Sequence, residues 1–195
     1  MTARHCGDCQ LCCKLLPVKE LGKVHGERCR YQHTGKGCSV HAQLARIAPS
    51  CAFWSCAWLV DPEATKLPRP DRCHFVVDIV PDFVHATPPG GERIDIPVMQ
   101  VWIDPAFPAA AESAALRAWI EHVADTRGLA TIVRFNSRDA YTVFAPSLSP
   151  DGQWHRVGGE IKPETEAGLR HMIDRAEHGD SDARRLLRQN QPTAV

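Results

Sequence analysis

Nine cysteines (Cys6, Cys9, Cys12, Cys13, Cys29, Cys38, Cys51, Cys56 and Cys73) fall within the first 73 of 195 residues, and none in the 122 that follow. The first three stand at spacing C-x2-C-x2-C, with Cys13 immediately after. A turn-rich loop with a thiolate every third residue can direct three sulfurs at one centre while a remote cysteine supplies the fourth corner, which favours a [4Fe–4S] cluster. Zinc draws more often on two separate C-x2-C knuckles, and this sequence has no second one. Adjacent cysteines such as Cys12 and Cys13 point apart. Either one of the two ligates while the other packs, or Cys13 serves a second site with those of Cys29, Cys38, Cys51 and Cys56 that the first leaves over. The expected metal ligands are thus eight, Cys6, Cys9, Cys12, Cys13, Cys29, Cys38, Cys51 and Cys56, in one or two centres, with iron–sulfur somewhat ahead of zinc as the cofactor.

Other groups read as bystanders. Cys73 shares a strand phase with Phe75, Val77 and Ile79 and reads as an ordinary buried thiol. His5, His25, His33 and His41 fall inside the cysteine region and read as surface residues, since eight thiols already suffice. His74, Asp78, Asp82 and His85 straddle a strand end at Pro81 and read as solvated polar residues. Trp54 and Trp58, at i, i+4 beside Cys51 and Cys56, read as core.

Three kinds of chemistry compete. The first is metal binding without assigned catalysis, the second an enzyme that uses the cluster, and the third thiol redox chemistry at Cys6 and Cys9 or at Cys12 and Cys13. The C-x3-C-x2-C spacing of radical enzymes is not met: Cys9 and Cys13 have the first interval, but position 16 is leucine. Pro88-Pro89-Gly90-Gly91 is a turn, and G-x-G-x-x-G is absent. Whether the chain is an enzyme stays open.

The order of cysteines resembles the YkgJ-type cysteine-cluster proteins, a family of zinc- or iron-chelating domains. Their opening C-x2-C-x2-C-C is present as Cys6, Cys9, Cys12 and Cys13. Their later cysteines correspond in order to Cys29, Cys38, Cys51 and Cys56. The family's Arg-Pro pair before the third of these is split here, with Arg46 and Pro49 separated by Ile47-Ala48. The resemblance spans about residues 5 to 58, implies a metal-chelating module there, and implies nothing about residues 74 to 195.

The elements that must position these residues divide in two. Residues 1–60 carry glycine turns at Gly22, Gly26 and Thr34-Gly35-Lys36-Gly37 and little apolar periodicity, so a small irregular module stabilised by metal is expected. Ser50 is expected to cap a short helix carrying Cys51, Phe53, Trp54, Cys56, Ala57 and Trp58. Proline-rich residues 61–71 read as a connector. Residues 72–179 read as an α+β part with antiparallel strands and two main helices, followed by a charged tail at 180–195. Its strands are expected around Cys73–Val80, Ile94–Ile103, Thr131–Phe135 and Ala140–Phe144, the last two a hairpin around Asn136-Ser137-Arg138-Asp139, with a turn at Asp151-Gly152. One helix carries Leu116, Trp119, Ile120 and Val123 and ends at Gly128. A second opens at Pro163, carries Leu169, Met172, Ile173 and Ala176, and ends at Gly179.

Net charge is zero, which gives no electrostatic signal for nucleic acid or anionic membrane. Residues 1–50 nonetheless hold eight Lys or Arg against three acids, a formal +5 that suits neighbouring thiolates. No stretch approaches the roughly 18 apolar residues of a membrane helix. The polar start MTARHCGDCQ lacks a signal-peptide core, so a cytoplasmic location is expected, with metal ions as the one partner indicated.

Overall fold

The computed structural model describes residues 4–86, 91–92, 94–136 and 139–158. The expected helix at 163–179, the tail at 180–195 and most of the Pro88–Gly91 turn lie outside the described residues.

The N-terminal third is built from short pieces: α1 (Leu11–Leu15), the two-residue strands β1 (Gln32–His33) and β2 (Gly37–Cys38), α2 (Leu44–Ile47), α3 (Pro49–Phe53) and α4 (Ala57–Val60). A 3-10 turn over Pro62–Lys66 and α5 (Pro70–Cys73) follow, then β3 (Phe75–Ala86) and β4 (Ile94–Ile103). The long helix α6 (Ala114–Arg127) precedes β5 (Ala130–Arg134), β6 (Ala140–Phe144) and β7 (His155–Val157).

Proline places several of these starts, because its fixed φ and missing N–H suit a first helical position. Pro49 opens α3 and Pro70 opens α5. Ser50 is therefore inside α3 rather than its cap; its N–H and Oγ instead donate to the Glu20 carboxylate at 3.0 and 2.8 Å. The single helix expected across Cys51 to Trp58 is broken at Trp54, which turns extended and leaves Cys56 as the residue before α4. On α6, the Ser113 hydroxyl accepts from Leu116 N–H and Gly128 closes the helix at φ 66°, a left-handed conformation that glycine adopts without a Cβ clash.

Strands β3 to β7 form one sheet in that order, antiparallel except for β4 and β5, which run parallel. The expected α+β part with antiparallel strands is thus present as a mixed sheet. The parallel pair arises because α6 carries the chain back across the sheet between them, as any parallel connection requires. β3 starts at Phe75, so Cys73 ends α5 instead of lying in a strand, and His74 turns the chain at φ 61°.

Each face of the sheet has its own cover. Phe75, Val77, Met99, Val101, Ile103, Val133 and Tyr141 pack against Leu116, Trp119, Ile120 and Val123 of α6. On the other face, Val76 and Trp102 pack against Cys9, Leu11, Leu15 and Cys56. This second cluster corrects the expectation of a metal-stabilised module. The N-terminal third takes its core from the back of the sheet, with Leu15 fully buried there, and apolar contact fills the place assigned to metal.

Ion pairs fasten the same junctions. Arg127 of α6 donates to Asp61 at 2.7 Å and also to Glu63, tying the 61–71 stretch to the helix. Cys56 bridges backbone-to-backbone with Asp78 of β3, and the Trp54 indole N–H donates to the Asp78 carboxylate at 2.9 Å.

Candidate thiol site

Cys6 lies in an exposed turn that Gly7, at φ 54°, bends back, so that Cys9 N–H donates to the Cys6 carbonyl at 2.9 Å. Cys12 and Cys13 follow on α1. Leu11 and Leu15, one turn apart, fix that helix against the sheet. The result is a small apolar cavity lined by Cys6, Cys9, Cys12 and Cys56 together with Trp58, Leu59, Pro70 and Val76.

The four thiols are not equivalent. The Cys6 Sγ donates to the Cys9 carbonyl at 3.4 Å, and the neighbouring Cys12 thiol is the largest influence on the titration of both Cys6 and Cys13. It brings the Cys6 thiol down to about 7, against the opposing effect of burial and with help from the Arg69 guanidinium. Cys13 is lowered first by Cys12 as well, while Cys12 is raised by both neighbours and by burial. Cys9 is pushed up to about 11 by burial, the amides of Leu11 and Asp71 pulling the other way, and its thiol also donates to the Asp71 carboxylate. Burial likewise raises Cys56. One exposed, acidic sulfur thus faces one protonated neighbour, with two inert thiols behind.

Arg69 holds this turn in place. Its Nη1 donates to Asp8 at 2.6 Å, and its Nε and Nη2 donate to the two oxygens of Asp71 at 2.7 Å each. Neither Arg69 nor Asp71 was singled out from the sequence, where both belong to the proline-rich connector; only the basic excess of the cysteine region hinted at a guanidinium near a thiolate.

Lys23 is 8% exposed, and burial is the chief influence on its ammonium, lowering it. Its ammonium donates to the carbonyls of Lys14 at 3.3 Å, Val24 at 3.4 Å and Leu16, and it feels Cys29, Cys13, Cys51 and Cys12. Cys29 N–H donates to the Cys13 carbonyl at 3.1 Å. Cys38 and Cys51 are raised mainly by burial, with Cys13 and Cys29 acting on both.

The remaining candidates disperse. His25 stacks on Trp102, with ring centroids 5.1 Å apart, His33 lies in β1 and His41 in a 3-10 turn. His74 stacks on Phe107, His85 meets Asp95 at 2.5 Å, and Asp82 is buried in the irregular ladder of β3 rather than solvated. Cys73 is half-buried, its Sγ 3.5 to 3.8 Å from the carbonyls of Pro68, Phe75 and Pro70, and burial pushes it to about 11.

These neighbourhoods are not a coordination sphere. Among the described residues, no three His, Cys, Asp or Glu are grouped so as to hold a metal ion. The expectations of a [4Fe–4S] or zinc cofactor, of a metal-binding function and of metal ions as partners are corrected accordingly. Cys12 and Cys13, expected to point apart, instead act strongly on one another's titration. No family model, curated protein or solved structure matches the chain, so the resemblance to the YkgJ-type proteins finds no support. No helix among the described residues is long and apolar enough to cross a membrane.

Proposed function

We propose that the protein is a dithiol–disulfide exchange protein, with Cys6 as the attacking sulfur and Cys12 as the resolving one. The observation that carries this reading is that Cys6 and Cys12 line one small apolar cavity, with the exposed Cys6 thiol brought down to about 7 chiefly by Cys12 and the Cys12 thiol raised. A thiol whose pKa lies near ambient pH combines a large thiolate fraction with good nucleophilicity. The pairing differs from both pairs expected from spacing, Cys6 with Cys9 and Cys12 with Cys13.

The exchange balances as follows. The Cys6 thiolate attacks one sulfur of a low-molecular-weight disulfide, forming a mixed disulfide and releasing the first thiolate. Cys12 gives its proton to solvent and attacks the Cys6 sulfur, closing Cys6–Cys12 and releasing the second. Two protein thiols become one disulfide, and the small disulfide becomes two thiols. Arg69 favours the attacking thiolate, and the apolar wall of Trp58, Leu59 and Val76 suits an uncharged portion of the reagent.

The test is disulfide mapping of the full chain, reduced and then exposed to graded oxidised glutathione. A Cys6–Cys12 bridge forming first, with a glutathione adduct trapped on Cys6 in the Cys12→Ser variant, is the expected result. Cys6 remaining unmodified, Cys6 pairing with Cys9, or thiols masked by stoichiometric metal in the purified protein would each overturn the reading.

A further inference from the structure

The geometry points to a binding site for a small oxyanion on the back of the sheet, where Arg134 and His25 meet the ring of Trp102. No thiol takes part in it, so it goes beyond the exchange proposed above.

Trp102 and Arg134 are partners across the parallel pair of β4 and β5, and strand alternation puts both on one face. The Arg134 guanidinium lies 5.5 Å from the centre of the Trp102 ring, and His25, from the turn at His25-Gly26, stacks on the same indole with centroids 5.1 Å apart. Three nitrogen-bearing side chains from separate parts of the chain are thereby gathered around one ring.

What they lack is an acceptor. The Trp102 Nε1 and the His25 Nε2 are buried without a hydrogen-bond partner, and Trp102 as a whole is 9% exposed. An indole N–H can only donate, so nothing but an acceptor satisfies it. Half-buried Arg134 donates its Nε to the Gln100 Oε1 at 2.7 Å; among the described residues its two terminal nitrogens have no acceptor. Asp82, the acid in this network, is already engaged: Gln100 Nε2 donates to one of its oxygens and the Phe83 N–H to the other at 2.9 Å. Gln100 thus stands between the carboxylate and the guanidinium.

A cation withdrawn from water needs a counter-charge, and a guanidinium beside further N–H donors matches the oxygens of a carboxylate or a phosphate. His25 adds a neutral donor when its proton sits on Nε2; burial, with the charges of Lys23 and Arg134 adding to it, holds its imidazole below the ordinary value. The chemistry recognised is that of an oxyanion small enough to lie beside one indole. Free phosphate and the carboxylate of a small metabolite both carry it.

The test is a titration of the reduced full chain with inorganic phosphate and, separately, with acetate, followed through the indole N–H resonances of isotope-labelled protein, Trp102→Phe identifying the relevant one. The Trp102 signal should shift and saturate: with phosphate if the occupant is a free oxyanion, with acetate if it is a carboxylate compound. Arg134→Met should weaken binding about tenfold or more, the loss of a charge-assisted hydrogen bond, and Arg134→Lys should retain part of it. Trp102→Phe keeps the ring and removes only the N–H, and should weaken binding about fivefold by calorimetry. Hydrogen–deuterium exchange of the β4 and β5 amides reports whether each variant stays folded. A Trp102 signal that moves with neither anion, or that moves equally in a folded Arg134→Met protein, would overturn the inference; should Arg134→Met not fold, an unchanged affinity in Trp102→Phe does so.

Discussion

Lys14 and Asp104 meet across 90 residues of sequence: the ammonium on α1 donates to both carboxylate oxygens of the residue that follows β4, at 2.6 and 2.7 Å. The Asp104 side chain is 4% exposed and also accepts the Ala106 N–H. Lys14→Met leaves that carboxylate buried with a single donor. A loss of about 2–3 kcal/mol in urea unfolding is expected, with part recovered in the Lys14→Met, Asp104→Asn double variant; additive losses would show that the pair does not couple.

The reactivity of Cys6 should follow pH as that of a group titrating near 7. Its pKa is depressed, so the thiolate is present above that value and lost below it. The iodoacetamide rate at Cys6 should rise about tenfold from pH 6 to pH 8 and then level off, whereas an ordinary thiol still climbs about threefold between pH 8 and 9. Peptide-resolved alkylation measures it, with Cys9, pushed up to about 11, as the unreactive internal control.

Arg69→Met separates electrostatics from stability. The Arg69 pairs involve Asp71, 34% exposed, and Asp8, 63% exposed, so their loss should cost only about 0–1 kcal/mol. Cys6 alkylation at pH 7 should nevertheless fall several-fold, because the guanidinium favours its thiolate and holds its turn. A large drop in melting temperature with an unchanged alkylation rate would reverse that assignment.

Leu15 tests whether the N-terminal third depends on the sheet for its core. It is fully buried in the cluster with Val76 and Trp102, and Leu15→Ala should cost about 2–5 kcal/mol. Because the contact is shared, hydrogen exchange should speed up in α1 and in β3 together. Faster exchange confined to residues 1–60 would argue for an independent module.

Much of the second part was legible from local signals. Ser113, the i, i+3, i+4, i+7 apolar spacing and Gly128 give α6 its start, its buried face and its end, and the strands at 94–103, 131–134 and 140–144 follow their alternation closely. Strand pairing was not legible in the same way: β4 and β5 run parallel because a helix intervenes, and the strand pattern alone did not show it. In the N-terminal third, the cysteine positions were plain while their relations were not. The relation of Cys6 to Cys12 depends on the Gly7 turn, and the charge that acts on Cys6 comes from Arg69, which no spacing rule links to a thiol. Low apolar periodicity suggested a missing core, when the missing half was supplied by Val76 and Trp102.

That borrowed core has a consequence for the order in which the chain becomes structured during synthesis. Cys9, Leu11 and Leu15 emerge first, yet the surface that buries them is complete only with Trp102, about 90 residues later. At roughly 5–20 residues per second the nascent thiols wait of the order of ten seconds without their apolar cover. During that interval the cysteines lack the neighbours that set Cys6 apart from Cys9, and pairing between them is governed by loop length alone. The sheet therefore completes the cover of these thiols only once β4 has been made, and a translation pause before β4 would lengthen the interval in which they stand exposed.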